Sequence, residues 1–330
     1  MTDMTRDTGD PSALGPTAVR PGPADVLPGA RATAGIAFAL LAAATFSLSG
    51  PFARGLLDAG WSAGAAVTAR VLIGGTVLAL PAILALRGRW SVLRANVWSL
   101  LVYGLVAVAG TQLTFFYAVS YLDVGVALLI EFLAPVAVVG WMWARHGRRP
   151  GPLTCIGGVV ALGGLVLVLD LAGDGGISVP GVLWALGAMV GAAGYFVMSA
   201  RPTGLPPVAL ASGGLLAGGV SLLVAGLVGI VPLHVAAEPV RFQGFTIPWW
   251  IPVLGLGVVT AAVAYTAGIA ASRRLGARLA SFVGLTEVMF AVLAAWLLLG
   301  QAPAPVQLAG GVLILAGIIT VRAGERGLPA

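Results

Sequence analysis

Residues 124–144 read VGVALLIEFLAPVAVVGWMWA, an apolar run that is interrupted by one carboxylate, Glu131, and one proline, Pro135. A carboxylate inside a segment long enough to cross a bilayer is costly unless it has a partner or faces water. Pro135 cannot donate a backbone hydrogen bond, and its ring crowds the carbonyl of Glu131, four residues earlier. The stretch therefore predicts a membrane helix kinked at Pro135. Glu131 lies either in a transport pathway or in a structural ion pair or hydrogen bond.

The rest of the chain also has the composition of a protein embedded in a bilayer. Of the 330 residues, 59% are hydrophobic and 9% are charged, and the mean hydropathy is +1.01. Soluble domains are about 25% charged. Every basic residue is an arginine, and the arginines follow the loops, which indicates membrane topology rather than nucleic-acid binding. The single cysteine, Cys155, excludes an intrachain disulfide, and we expect neither a metal nor a cofactor.

Ten apolar stretches follow a proline- and glycine-rich N-terminal tail, residues 1–32, which we predict to be disordered. Each stretch is long enough for a membrane helix of about 20 residues. The predicted helices are 33–53, 63–86, 97–121, 124–144, 153–171, 179–200, 207–231, 248–271, 279–299 and 304–322.

Arginines are distributed unevenly between the two sides of these ten predicted helices. Loops on one side, together with both tails, hold fifteen arginines, whereas loops on the opposite side hold two, Arg54 and Arg241. The positive-inside rule then predicts a multi-pass protein of the cytoplasmic membrane. Both termini, including the tail of residues 323–330, are expected to be cytoplasmic.

A shift of 153 residues superposes glycines, prolines and aromatic residues of the two halves. It lays Gly147, Pro152, Gly157, Gly158 and Gly164 on Gly300, Pro305, Gly310, Gly311 and Gly317. This pattern predicts two five-helix repeats, residues 33–171 and 179–322, unless apolar low-complexity sequence aligns by chance. Because five is odd, the second repeat enters the membrane inverted, so the expected fold is all-α with two inverted repeats.

Small residues at helical spacing also mark the predicted fifth and tenth helices. Gly157 and Gly164 share one face, as do Gly310 and Gly317. Such spacing lets helix backbones approach closely. It predicts packing either within one chain or between two chains of a homodimer.

Three predicted helices carry a formal charge well inside the membrane: Arg70, Glu131 and Glu287. At 1.5 Å per residue, Arg70 and Glu131 lie roughly 12–14 Å below the outer surface, and Gln112 lies about 16 Å below it. We therefore predict a cluster of these three. In one interpretation Arg70 holds a substrate carboxylate and Glu131 takes an ammonium group or a proton; in the other the two charges only neutralise each other.

Glu287 enters from the opposite side, about 13 Å from the cytoplasmic surface. We expect Glu131 and Glu287 at different heights along one cavity, and both are candidates for proton coupling because a buried carboxyl can exchange protons near neutral pH. Tyr117 and Tyr265 are further candidates for substrate binding, although tyrosines in membrane helices more often make interhelical hydrogen bonds. Tyr265 gains weight because the 153-residue shift lays it on Gln112.

Motifs of soluble enzymes are missing from the sequence. It has no HExxH, no P-loop, no CxxC and no lysine, so we expect the protein not to be an enzyme. The alternative of another class is a non-transporting membrane enzyme or a scaffold. The first would need catalytic motifs and the second a large cytoplasmic domain, and we find neither.

Two motifs point to a known family. Residues 130–135 read IEFLAP, and residues 297–320 read LLLGQAPAPVQLAGGVLILAGIIT. Together with two five-helix halves they resemble EamA-type members of the drug/metabolite transporter superfamily, and IEFLAP looks like the Glu-Phe-x-x-Pro of its threonine and homoserine exporters. Two departures are that Val288 stands where a proline usually follows Glu287, and that Gln301 replaces an acidic residue.

The resemblance implies a secondary transporter that moves amino acids or other small metabolites across the lipid bilayer by alternating access. We expect export of a small amphiphilic metabolite, an amino acid or an analogue. The runner-up is a drug or nucleoside-type efflux carrier, which would need an aromatic, weakly charged pocket. Phe115, Phe116, Phe132 and Phe196 are the side chains that could form one.

Overall fold

The structure is a computed structural model that describes residues 28–119, 121, 124–147, 149–169, 178–300 and 302–325. The described part leaves out several residues that the sequence analysis names: most of the predicted N-terminal tail, residues 326–330 of the C-terminal tail, the Phe116 side chain and Gln301. The first helix begins at Pro28, so the last residues of the predicted tail are helical.

Helices make up most of the described chain, with two π-helical segments and one short hairpin. In chain order the elements are α1 Pro28–Ser47, α2 Ser49–Asp58, α3 Ala63–Val77, α4 Ala79–Ala85, α5 Trp90–Val102, π1 Tyr103–Gly110, α6 Thr111–Val119, α7 Val124–Glu131, α8 Ala134–His146, α9 Pro152–Leu169, α10 Val179–Ser199, α11 Pro207–Leu227, β1 Val240–Phe242, β2 Phe245–Ile247, α12 Trp250–Leu254, π2 Gly255–Val263, α13 Ala264–Gly284, α14 Thr286–Leu299 and α15 Pro305–Glu325.

Seven helical stretches of the described chain are long and apolar enough to cross a membrane. They are Ala32–Asp58, Ala63–Ala85, Trp90–Phe115, Val179–Ser199, Pro207–Leu227, Trp250–Gly284 and Pro305–Gly324. The count is lower than the ten predicted. The predicted fifth and ninth helices correspond to shorter apolar helices, Pro152–Val168 and Thr286–Leu298, and the fourth is divided into α7 and α8.

The fourth predicted helix is interrupted where the carboxylate and the proline occur. Helix α7 ends at Glu131, and α8 begins at Ala134 with Pro135 in its first turn. A proline is accepted at a helix start because the amide there has no helical partner. The ninth predicted helix is interrupted as well, at Leu285 between α13 and α14, although no proline follows Glu287.

A β-hairpin between α11 and α12 is the element that the all-α expectation missed. Strand β1 pairs antiparallel with β2, Val240 opposite Ile247 and Phe242 opposite Phe245. The turn between them contains Gly244 with φ of 80°, a value that glycine adopts without steric cost. Val240 and Phe242 are buried against α2. The hairpin therefore covers the end of the bundle where α2 turns into α3.

Helices α9 and α15 pack antiparallel at the two glycine faces noted in the sequence. A methyl group added at Gly157 would lie 2.6 Å from the carbonyl oxygen of Gly317, and one at Gly164 would lie 2.5 Å from that of Gly310. Only glycine leaves enough room for backbones this close. The predicted small-residue packing thus occurs between two helices of one chain.

Replacing Gly164 by alanine should lower the melting temperature of the purified protein. The new methyl group would meet the Gly310 carbonyl and the Ile314 amide, and such overpacking costs about 1–3 kcal/mol. The matched control is Gly163→Ala, since nothing lies within 4 Å of a methyl group at Gly163. Equal melting temperatures for the two variants would contradict the close packing of α9 and α15.

Candidate functional site

A central cavity of about 250 Å³ lies among α1, α2, α3, π1, α6, α7, α8, α10, α13 and α14. Most of its wall is apolar, formed by alanines and aromatic rings. The polar and charged side chains in the wall are Ser49, Arg70, Thr111, Gln112, Glu131, Tyr195, Tyr265, Ser281 and Glu287. A concave, mostly apolar cavity with a few convergent polar groups is the usual form of a small-molecule site.

Most of the residues singled out in the sequence line this cavity. Arg70, Gln112, Glu131, Tyr265 and Glu287 all do so, and Pro135 lies beside them at the start of α8. Tyr117 lies apart from this lining. Its ring stacks on Trp184 at a centroid distance of 4.9 Å, and its hydroxyl donates to the Ile230 carbonyl at 3.4 Å.

Arg70 is held by backbone and an aromatic ring instead of by a carboxylate. Its Nη2 donates to the Thr260 carbonyl in π2 at 2.8 Å, and its guanidinium carbon lies 5.6 Å from the centre of the Phe46 ring. The side chain is buried, and Nε has no hydrogen-bond partner. A guanidinium has five N–H donors, so several remain for a ligand.

The two carboxylates lie near Arg70 without contacting it. Glu131 and Glu287 interact electrostatically with Arg70 and with each other. Yet no carboxylate oxygen of Glu131 or Glu287 lies within 4.0 Å of a guanidinium nitrogen of Arg70, which is the distance limit for an ion pair. The structure describes all three residues. Arg70 and Glu131 therefore do not form the structural ion pair that was the alternative interpretation. Both charge types remain available to a bound molecule.

Aromatic rings form a continuous wall of the cavity. Tyr265 packs edge-to-face against Phe46 at 5.1 Å and against Tyr195 at 5.6 Å, and Tyr195 packs against Phe196 at 5.1 Å. Phe115 and Phe132 also line the cavity. Phe46 and Tyr195 are not among the site residues predicted from the sequence. An aromatic residue in an apolar segment gives no signal of its own, because most of them are ordinary packing residues.

Tyr195 makes an unusual contact with Gly268 of α13. Its hydroxyl is buried, has no hydrogen-bond partner, and occupies the position that a side chain at Gly268 would take. The ring carbon Cζ would lie 3.2 Å from such a side chain. Gly268 thus provides the notch in which the Tyr195 hydroxyl sits, and this notch fixes how far the ring extends into the cavity.

Gln112 and Tyr265, which the 153-residue shift superposes, both line the cavity. They lie on the helices that follow the two π-helical segments, and these segments also superpose, since Tyr103–Gly110 shifted by 153 falls within Gly255–Val263. A π-helical turn in a helix often marks a functional site. Among the described residues, no group of three or more His, Cys, Asp or Glu side chains could hold a metal ion.

Comparison with known proteins matches the sequence to a family of transporters. The sequence model of the EamA-like transporter family matches residues 33–170 and 179–323. The chain is 24% identical over 237 residues to the uncharacterized inner membrane transporter YicL of Salmonella typhimurium, covering 71% of this chain and 75% of YicL. It is 26% identical over 265 residues to the uncharacterized transporter YwfM of Bacillus subtilis, covering 78% of this chain and 83% of YwfM.

A solved crystal structure has the same fold, with a TM-score of 0.71 at 21% sequence identity, covering 90% of this chain and 98% of the other. Both relatives are named as transporters, and the family's sequence model likewise points to a membrane transporter. With the family's sequence model matching most of its length, this chain belongs to the EamA-like transporter family.

Proposed function

We propose that this protein is a secondary transporter that exports an amino acid or an amino acid analogue across the cytoplasmic membrane by alternating access. The observation that carries the proposal is the set of charges in the central cavity. Arg70, Glu131 and Glu287 line one cavity without forming ion pairs among themselves. Buried charges are costly unless paired, so a ligand that carries both signs would stabilise this arrangement.

The cavity offers complementary positions for the groups of an amino acid. Arg70 binds the substrate carboxylate through its free N–H donors, since guanidinium and carboxylate match in geometry. Glu131 binds the ammonium group, and Tyr265 and Gln112 bound the same space. The substrate side chain packs on the aromatic wall of Phe46, Tyr195 and Tyr265.

Two inverted repeats of five helices are the architecture that we propose for this transport cycle. The antiparallel packing of α9 and α15 supports it, because the 153-residue shift lays these two helices on each other. Equivalent helices that run antiparallel are related by a two-fold axis perpendicular to their length. Such an axis lies in the membrane plane, as in transporters built from inverted repeats.

A second set of contacts repeats in the same way. A methyl group at Gly74 would lie 2.9 Å from the Gly257 carbonyl oxygen, and a methyl group at Gly218 would lie 2.9 Å from that of Gly104. Gly104 and Gly257 are separated by 153 residues, whereas Gly74 and Gly218, which each begin a Gly-Gly pair, are separated by 144. These contacts support ten membrane helices in two halves, 33–171 and 179–322, and the distribution of arginines supports cytoplasmic termini.

Interruptions beside both carboxylates provide places where the helices can bend. Helix α7 ends at Glu131, and α14 begins one residue before Glu287. Unpaired backbone at such a break is tolerated in membranes where it lines a cavity. We propose that these breaks act as hinges when the cavity changes the side to which it opens, and that Glu131 or Glu287 carries the proton that drives export.

The six aromatic side chains of the cavity favour a second candidate, a drug or nucleoside-type efflux carrier. Phe46, Phe115, Phe132 and Phe196 would hold a planar ring by stacking, as aromatic pairs do. This candidate does not explain a buried arginine with free donors. A neutral aromatic cargo would leave Arg70 without an anion, so we rank it second to a zwitterion. The resemblance to threonine and homoserine exporters supports the same order.

The experiment that tests the proposal is extracellular metabolite profiling. A host expressing the wild type is compared with the same host expressing Arg70→Gln, at membrane levels matched by immunoblot. We expect a compound with an amino and a carboxyl group to accumulate outside several-fold with the wild type only. The control is Arg89→Gln, the same exchange at an exposed position outside the cavity. Accumulation only of compounds without a carboxylate would overturn the amino acid assignment and favour the second candidate.

A further inference from the structure

A second cavity, of about 160 Å³, adjoins the central cavity on the side of the α2–α3 turn. We call it the adjoining cavity. The two cavities share four lining residues, Ser49, Arg70, Gln112 and Phe115. Arg70 and Gln112 therefore stand at the boundary between them and are reachable from either side.

The two cavities differ in charge. Glu131 and Glu287 line only the central cavity, so Arg70 is the single charged side chain that the described residues contribute to the wall of the adjoining cavity. The rest of its wall comes mainly from small or aliphatic residues, among them Ala53, Ala66 and Val67. An apolar space with one cation at its end fits a molecule with an apolar body and an anionic head.

Arg70 itself supplies the second argument. Its Nη2 is fixed on the Thr260 carbonyl, while Nε is buried without a partner. Leaving a buried charged donor unsatisfied is unfavourable, and an anion within reach would remove that cost. Since Arg70 lines both cavities, that anion can approach from the adjoining cavity as well as from the central one.

We propose that the adjoining cavity is a second ligand subsite that binds the apolar body of an amphipathic carboxylate, while Arg70 holds the carboxylate head. The proposal rests on the proposed function only in that Arg70 also holds the carboxylate of the cargo. One guanidinium serves both positions, so a ligand in the adjoining cavity excludes the cargo from the central cavity. Amphipathic carboxylates are then competitive inhibitors of cargo binding.

The volume sets the length of the ligand. A cavity of about 160 Å³ is small, so it takes only a short apolar chain, and hexanoate, with five carbons beyond the carboxylate, is the middle member of the test series. Burial of each methylene group tightens binding about fourfold until the space is full. Affinity should therefore rise from acetate through butyrate to hexanoate and then stop rising.

The test is calorimetric titration of the full-length protein, in phosphatidylcholine nanodiscs, with acetate, butyrate, hexanoate, octanoate and hexylammonium. Ala53 and Val67 line only the adjoining cavity, so the variant Ala53→Leu fills this cavity and Val67→Ala enlarges it. The control is Ala85→Leu, outside both linings. We expect Ala53→Leu to weaken hexanoate binding at least tenfold, Val67→Ala to shift the best length towards octanoate, and Ala85→Leu to bind as the wild type does.

Three results would overturn the proposal: no hexanoate binding to the wild type, equal binding to Ala53→Leu, or hexylammonium binding as tightly as hexanoate. Its failure is distinguishable from failure of the proposed function. If the protein exports its cargo but Ala53→Leu binds hexanoate as tightly as the wild type does, the subsite is rejected and the transporter proposal stands. If the volume changes at Ala53 and Val67 alter hexanoate binding as expected but the protein exports no amino acid, the subsite is supported and the cargo assignment is rejected.

Discussion

Exchanging Glu131 for glutamine is expected to reduce transport by roughly 100-fold while the protein still inserts and folds. Glutamine keeps the size of the side chain and removes its charge. Truncating one partner of a buried charge pair costs about 2–5 kcal/mol, and in the proposed site the partner is the ammonium group of the cargo. The measurement is initial uptake into proteoliposomes with the cargo identified by metabolite profiling.

The matched control is Glu238→Gln, the same chemical change at an exposed position in the segment before β1. It should transport as the wild type does. Counterflow exchange then separates two roles of Glu131. Loss of both net uptake and exchange means that Glu131 binds the cargo, whereas exchange that persists without net uptake means that it only carries the coupling proton. Normal net uptake would remove Glu131 from the mechanism.

The candidate site could be predicted best from charged residues that lie in apolar segments. The depths of Arg70, Gln112 and Glu131 can be estimated from residue counts, because a helix advances by a fixed rise per residue. These three side chains line one cavity. Glu287, expected from the opposite side, lies close enough to interact electrostatically with Glu131, because α14 begins at the level of the cavity.

The fold features that the sequence left open depend on how helices meet. Breaks at Leu133 and Leu285 divide predicted continuous helices, and only the first is accompanied by a proline. The hairpin of β1 and β2 could not be predicted, because its apolar residues resemble the many apolar residues of the predicted membrane helices. The contact of Gly268 with Tyr195 joins helices 73 positions apart, and no local pattern marks either residue.

Replacing Gly268 by alanine is expected to lower transport roughly tenfold or more, because the new methyl group takes the place of the Tyr195 hydroxyl. The ring must then move into the cavity or α10 must move away from α13, and overpacking of this kind costs about 1–3 kcal/mol. Tyr195→Phe alone should be nearly neutral, since the hydroxyl has no partner to lose. Initial transport rates and melting temperatures measure both effects.

The double variant Gly268→Ala with Tyr195→Phe decides whether the hydroxyl is the obstacle. Without the hydroxyl, the nearest atoms to the methyl group are Cζ of residue 195 at 3.2 Å and Cβ of Ala42 at 3.7 Å, which a small shift can accommodate. Transport by the double variant should therefore return close to that of Tyr195→Phe. A double variant as impaired as Gly268→Ala would mean that α1 and α13 are pushed apart instead. Loss of transport in Tyr195→Phe alone would mean that the hydroxyl contacts the cargo during the transport cycle.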